Sequence, residues 1–302
     1  MQAVRQRIER EVLDLMGFHL PGVDFRQPAG DPGYFGPESA VWELHRDMST
    51  VLYGGISSML LQMQHPLALS GIWDHSVYRE DLLGRLRRTN QFIFATSFAG
   101  CPDADRLVHR INLIHQHVRG HAPDGRAYAA TDPELVTWVH VAQVKSFVAT
   151  YLRYGDPSLS GERQDRYYRE TAVLARALGA VQVPESRVEV EAYLERMQPQ
   201  LSCDARTREL AGVLAQASPS PAMRPFTALV LRAGIDLLPE WAAERLGLAM
   251  GGPERRTVRL AARAVAGLVR HSVRDGAWNR SMERVRASQV AGNEALPHVA
   301  VG

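Results

Sequence analysis

The histidines of this chain are concentrated in its first half, and one stretch of helical spacing carries three of them. Eight of the eleven histidines fall within residues 45–140, and residues 102–120 have the pattern of a helix that contains His109, His115 and His117. At about 100° per residue, His115 lies on the margin of an apolar stripe, whereas His109 points the opposite way. A histidine in this position is commonly a hydrogen-bonded core residue, but it is also where a metal or a haem iron could take its ligand.

A second group of candidate residues is basic and lies in the sequence GRLRRT. Spacings of three and four residues place Arg85, Arg88 and Thr89 on one side of a helical turn. The simplest interpretation is a solvated basic face. The functional interpretation is a guanidinium and a hydroxyl held over a reactive centre, where they donate to dioxygen, peroxide or haem propionates.

A third group lies on a predicted helix over residues 132–154, which is apolar almost all round and is therefore expected in the interior. His140, Phe147 and Tyr151 share one face of this helix with Val144. His140 is either a core histidine bonded to a backbone carbonyl or part of a cofactor pocket. The sequence leaves both interpretations open.

Other kinds of catalytic site find little support in the residue spacing. His115 and His117 are two residues apart and point in nearly opposite directions on a helix, so a mononuclear non-haem iron site with His121 is disfavoured. Such a site also needs a carboxylate, and the spacing places none beside these histidines. The chain has no GxSxG, GxxxxGK[ST] or HExxH motif, and no GxGxxG after a strand, which argues against common hydrolases and nucleotide-dependent folds.

The elements that must position these residues are predicted to be helices. Gly54 and Gly55 fall inside one of them, where they indicate either a bend or the close approach of another helix or a flat ligand. No alternating pattern of useful length predicts a strand, apart from a doubtful VQV at residues 181–183. The pattern predicts an all-α single domain. In the second half, candidate helices cover residues 161–179, 184–197, 204–216, 222–236, 239–248, 253–271 and 277–290.

Composition limits the partners and the compartment. With 35 basic and 33 acidic residues and a net charge of +2, the chain gives no electrostatic case for nucleic acid or an anionic membrane. No run approaches the roughly 20 apolar residues of a membrane span, and the N-terminus lacks the apolar core of a signal peptide. Cys101 and Cys203 form no disulfide framework, so we expect a reducing, cytoplasmic location.

Two long runs of the sequence carry a family resemblance. Residues 42–92 (WELHRD to RRTNQF) and residues 114–155 (IHQHVRG to YLRYG) closely resemble the rubber oxygenase (latex clearing protein) and MpaB oxygenase family, formerly a domain of unknown function. The resemblance spans about residues 38–275, because LLPEWAAERLGL is also similar to the family's C-terminal part. It implies a helical domain with a globin-like core that encloses haem b.

The resemblance also implies roles for individual residues. The family's HxxVxG motif stands at residues 115–120, so His115 is expected to be the axial ligand of the haem iron. Arg119 in that motif, together with His140 and Phe147, is expected to contact the cofactor.

The family's RxxxT motif stands at residues 85–89 and is expected to form the distal catalytic group of Arg85, Arg88 and Thr89. Rubber oxygenases have a lysine before the threonine, and the side chain of this lysine can occupy the distal coordination position of the iron. Arg88 stands there in this chain and cannot ligate iron, because a guanidinium stays protonated. The distal position is therefore expected to be open or to hold water.

The leading hypothesis is a haem b oxygenase or peroxygenase that uses dioxygen or peroxide on a small apolar or aromatic molecule. The alternative is a protein that binds haem, or senses haem or a gas, without turnover. The expected organisation is an N-terminal helix and ordered loop over residues 1–37, a helical oxygenase domain over residues 38–290 and a C-terminal tail over residues 291–302.

Overall fold

Helices make up most of the chain in the computed structural model, which describes residues 2–294. The helices are α1 (Gln2–Leu15), α2 (Ala40–His45), α3 (Met48–Gln62), α4 (Pro66–His75), α5 (Tyr78–Phe98), α6 (Cys101–His117), α7 (Pro133–Thr150), α8 (Gly161–Ala177), α9 (Arg187–Met197), α10 (Ala205–Gln216), α11 (Arg224–Asp236), α12 (Glu240–Arg245), α13 (Gly252–Ser272) and α14 (Ala277–Glu294). A π-helical turn, Tyr151–Gly155, continues α7. The predicted all-α class is confirmed.

A short β-hairpin follows α6, where the sequence pattern indicated no strand. Strand β1 (Arg119–His121) pairs antiparallel with β2 (Ala127–Ala129), so α6 ends at His117 rather than at Gly120. Three-residue strands are too short for alternation to be visible in the sequence. The doubtful strand at residues 181–183 is irregular instead.

Helix α5 continues beyond the predicted helical turn of Arg85, Arg88 and Thr89. It runs on through the apolar residues 92–98, and its only non-helical backbone angles are at Asp81. The arginines and Thr89 therefore lie in the middle of a helix. Their relative positions are set by helical geometry rather than by a loop.

The core is centred on α3 and α7, which pack along much of their length. Gly54 permits this approach, because a Cβ at this position would lie 2.6 Å from Cδ1 of Phe147 and 2.8 Å from Oγ1 of Thr150. Trp138, Val141 and Phe147 are fully buried on α7, so its predicted interior position is confirmed.

The predicted N-terminal segment shares this core with the rest of the chain. Val12, Met16 and Phe25 belong to the same hydrophobic cluster as α3, α7 and α13. At the other end, α14 crosses the predicted boundary at residue 290 and continues to Glu294, and residues 295–302 of the predicted tail lie outside the described residues. Within the described part of the chain, none of the helices has the length and apolar character needed to span a bilayer.

Candidate active site

A cavity of about 670 Å³ opens between α3, α4, α5, α6 and α7. This volume lies within the range of about 300–1,000 Å³ that is usual for pockets that hold small molecules and cofactors. The structure brings six of the predicted site residues to its wall. They are Arg85, Arg88 and Thr89 of α5, His115 of α6, and His140 and Phe147 of α7.

The apolar stripe of α6 faces this cavity, and Leu107 near its start also packs against the hydrophobic core. Leu107, Ile111, Ile114 and Val118 all line the cavity, and Ile114 keeps 47% of its surface exposed. An apolar helix face normally buries itself against another element, because leaving it in water costs about 25 cal/mol per Å². The uncovered stripe is therefore typical of a wall that a bound molecule completes.

His115 presents a neutral imidazole to the cavity. Its Nδ1 is buried and has no hydrogen-bond partner among the described residues, and burial lowers the pKa of the ring. A histidine whose pKa is lowered by desolvation is uncharged at neutral pH, which is the form that ligates a metal. The position at the margin of the apolar stripe agrees with the spacing of the sequence.

His140 is a second neutral imidazole on the cavity wall. Burial, with a smaller contribution from the charge of Arg176, lowers its pKa to about 4. Its Nε2 is buried, and no hydrogen-bond partner for it lies in the described part of the chain. His140 is therefore not the carbonyl-bonded core histidine that the simpler interpretation required.

Arg85 is a half-buried cation on the opposite helix, α5. No hydrogen bond or ion pair joins its guanidinium to any other described residue, and burial, followed by the charge of Arg88, lowers its pKa. Arg88 itself is exposed and lies 3.4 Å from a carboxylate oxygen of Asp81. Thr89 donates its hydroxyl proton to the carbonyl of Arg85 at 3.1 Å, so its oxygen is left to accept a hydrogen bond.

The helices that form this cavity lie within a match to a known protein family. Residues 42–271 match the family described as ER-bound oxygenase mpaB/B'/Rubber oxygenase, catalytic domain. The chain belongs to this oxygenase family. The comparisons with curated proteins and with solved structures gave no match to the chain.

Membership of this family makes the chain an enzyme with an oxygenase catalytic domain, and the resemblance noted in its motifs is confirmed. The matched range contains every residue of α3 to α7 that lines the cavity. The globin-like character of the core stays a prediction, as does the cytoplasmic location.

Two predicted residues lie away from the cavity of this oxygenase. Arg119 is exposed at the start of β1, because side chains alternate in an extended segment and its neighbour Val118 points into the cavity. Tyr151, one turn after Phe147, lines a second cavity of about 570 Å³.

The structure adds a residue that the sequence analysis left undecided. Gly55 faces the cavity, and a Cβ there would meet nothing within 4 Å. Of the two interpretations of the paired glycines, Gly54 serves helix contact, and Gly55 leaves open space for a ligand. The two adjacent glycines indicated a close approach or an open space at this point of the helix. The sequence could not show which glycine contacts a helix and which one faces the cavity.

The glycine that ends the HxxVxG motif, Gly120, is required by a close contact that the sequence did not reveal. A Cβ on Gly120 would lie 2.6 Å from the hydroxyl of Tyr128, which donates to Oδ2 of Asp74 at 2.5 Å and lies 3.2 Å from Nε2 of His75. This contact fastens the hairpin to the end of α4. It therefore holds the chain directly after His115 beside the cavity, which His75 and Tyr128 also line.

The histidines that we considered for a non-haem site do not come together. His117 and His121 are exposed and lie outside the cavity lining. In the part of the chain that the structure describes, no group of three or more His, Cys, Asp or Glu side chains could hold a metal ion.

Proposed function

We propose that this oxygenase holds haem b in the cavity through His115 and oxidises a small apolar or aromatic molecule with dioxygen or peroxide. The observation that carries the proposal is the combination on α6 of an uncovered apolar stripe and a neutral imidazole at its margin, both facing one cavity. A flat apolar group with one coordination site is complementary to such a wall.

The residues around His115 fit this cofactor. Gly55 leaves open space on the facing helix, and Leu107, Ile111 and Ile114 supply an apolar surface. Cationic side chains on the cavity wall suit the carboxylates of the propionates. Arg88 cannot act as a ligand, which supports an open or water-filled position for the oxidant.

Bound in this way, haem would supply the one-electron and dioxygen chemistry of the reaction. The protein would hold the iron through the imidazole of His115, and burial would keep that ring neutral. Arg85, which lacks an ion-pair partner among the described residues, would stabilise negative charge that develops on the oxidant, and the oxygen of Thr89 would accept a hydrogen bond from a water molecule. The apolar residues of α6 and α7 would bind the substrate and exclude water.

An absorption titration with haemin tests the proposal. Wild-type protein should give a saturable Soret band at one haem per chain, and His115→Ala should lose that band or shift it strongly, because the axial nitrogen is gone. External imidazole should restore the wild-type spectrum in the enlarged site. The matched control is His117→Ala, since His117 lies on the same helix but outside the cavity.

Two results would contradict this assignment. One is a wild-type Soret band in His115→Ala with unchanged far-ultraviolet circular dichroism, which would transfer the ligand role to His140. The other is the absence of any saturable band in the wild-type protein, which would remove haem from the proposal altogether.

A further inference from the structure

The charged residues on the cavity wall are all of one sign. Four arginines line the cavity, and none of the described lining residues is Asp or Glu. The whole chain has nearly equal numbers of basic and acidic residues, 35 and 33, so the composition does not explain this asymmetry. The described charged residues that line this cavity are therefore all positively charged.

Two of the four arginines have carboxylate partners. Arg87 lies 2.5 Å from Asp14, and Arg88 lies 3.4 Å from Asp81. Arg85 and Arg110 have no hydrogen bond or ion pair with any described residue. The cavity therefore carries two uncompensated positive charges beside an apolar wall.

The two uncompensated arginines differ in depth. Arg85 is half-buried on α5, where it has a role in the oxidation proposed above, whereas Arg110 is exposed and lines the cavity from α6. Arg110 therefore lies where the cavity meets solvent. Spacings of three and four residues place it on the same helix face as Leu107 and Ile114, so the apolar stripe has a cation at its outer edge.

We infer that the substrate of this oxygenase is an amphipathic carboxylate whose apolar part occupies the cavity and whose carboxylate pairs with Arg110 at the mouth. The inference rests on the proposed function and specifies its substrate class. A guanidinium pairs with a carboxylate through two parallel hydrogen bonds, which selects this group over a neutral alcohol of equal length. A cationic amphipath would instead be repelled.

A comparison of two ligands that differ only in the head group tests this inference. Calorimetric titrations of the haem-loaded protein at low ionic strength should show octanoate binding about three- to fivefold more tightly than octan-1-ol, because an ion pair at an exposed arginine adds up to about 1 kcal/mol. Arg110→Gln should abolish this preference without changing the affinity for octan-1-ol. Added salt should weaken the preference in the wild-type protein.

The matched control for loss of one positive charge is Arg256→Gln. Arg256 is exposed on α13, lies outside the cavity lining and has no ion pair with another described residue. It should keep the full preference for octanoate. Equal binding of the two ligands by the wild-type protein, or a preference that survives Arg110→Gln, would overturn the inference.

The carboxylates of haem itself could also pair with Arg110, and a haemin titration separates the two cases. A large loss of haemin affinity in Arg110→Gln would assign this arginine to the cofactor and overturn the substrate inference. If the wild-type protein gives no Soret band, the proposed function fails by itself. The same octanoate comparison on that haem-free protein then still decides whether Arg110 selects carboxylates.

Discussion

At the scale of single residues, the paired glycines of α3 show how neighbouring identical residues serve different purposes. Gly54 lies against Phe147 and Thr150 of α7, whereas Gly55 faces the open cavity. One glycine therefore sets the distance between two helices. The other leaves space in which a ligand can lie.

The two alanine substitutions should have opposite effects on stability. Gly54→Ala should lower the free energy of unfolding by about 1–3 kcal/mol, because its Cβ would overlap Phe147. Gly55→Ala should raise the free energy of unfolding by about 0.5–1 kcal/mol, since alanine favours helix and meets no neighbour here. Urea denaturation of the two variants measures both changes, and an equal effect would contradict the assigned division of roles.

At the scale of secondary-structure elements, Arg284 joins two segments outside the family match to the end of α5, which lies inside it. Its side chain is 1% exposed and donates to the carbonyls of Phe25 at 2.8 Å, Asp31 at 2.8 Å and Phe98 at 2.7 Å. These bonds tie α14 to the loop after α1 and to the end of α5. The buried cation is stabilised by backbone carbonyls instead of by a carboxylate hydrogen bond.

Arg284→Met should therefore destabilise the fold by about 3–5 kcal/mol, because it leaves three carbonyls without their donor. Lysine should restore little of this loss, since one ammonium group cannot reproduce the planar fork. Arg286→Met is the control on the same helix, because Arg286 is exposed. Its unfolding free energy should stay within about 0.5 kcal/mol of wild type. Similar urea midpoints for the two methionine variants would show that Arg284 does not fasten these segments.

At the scale of the whole molecule, buried neutral histidines link several elements and make stability depend on pH. Burial lowers the pKa of His45 to about 3, and burial together with the nearby charge of Arg126 lowers that of His65 to about 4. His45 lies between Ser97 and Tyr167, at 2.6 Å and 2.8 Å, and Nδ1 of His65 caps α4 by accepting hydrogen bonds from backbone N–H groups of its first turn. Together with His140, they stay neutral in the folded state.

These histidines should make the protein sensitive to acid. The unfolded chain binds protons at its histidines near pH 6.5, whereas the folded protein does not until about pH 4 or 3, so the unfolding free energy should fall as the pH drops through this window. Each histidine should contribute a slope that rises from about 0.7 kcal/mol per pH unit at pH 6.5 toward about 1.4 kcal/mol per pH unit at pH 5, as the unfolded histidines become fully protonated. Urea denaturation between about pH 6.5 and 5, above the range in which ordinary carboxyl groups titrate, measures the slope. His45→Gln should reduce the slope by one histidine's share, and a flat profile would contradict the buried neutral state.

Much of this oxygenase follows from its sequence. Helical spacing and Gly or Pro boundaries predicted α8 to α14 closely, and the same spacing placed His115 at the edge of an apolar stripe. The RxxxT and HxxVxG motifs pointed to two sides of one cavity. These features are local, because a helix's apolar face is determined by residues three and four positions apart.

Only the tertiary structure decided what each apolar face meets. Periodicity cannot distinguish a stripe covered by another helix, as on α7, from one that faces a cavity, as on α6. It also could not show that β1 turns Arg119 outward, that Gly55 opens onto the cavity, or that Arg110 lies at its mouth without a described partner. These outcomes depend on contacts between residues far apart in the chain, where packing and hydrogen bonds outweigh local preference.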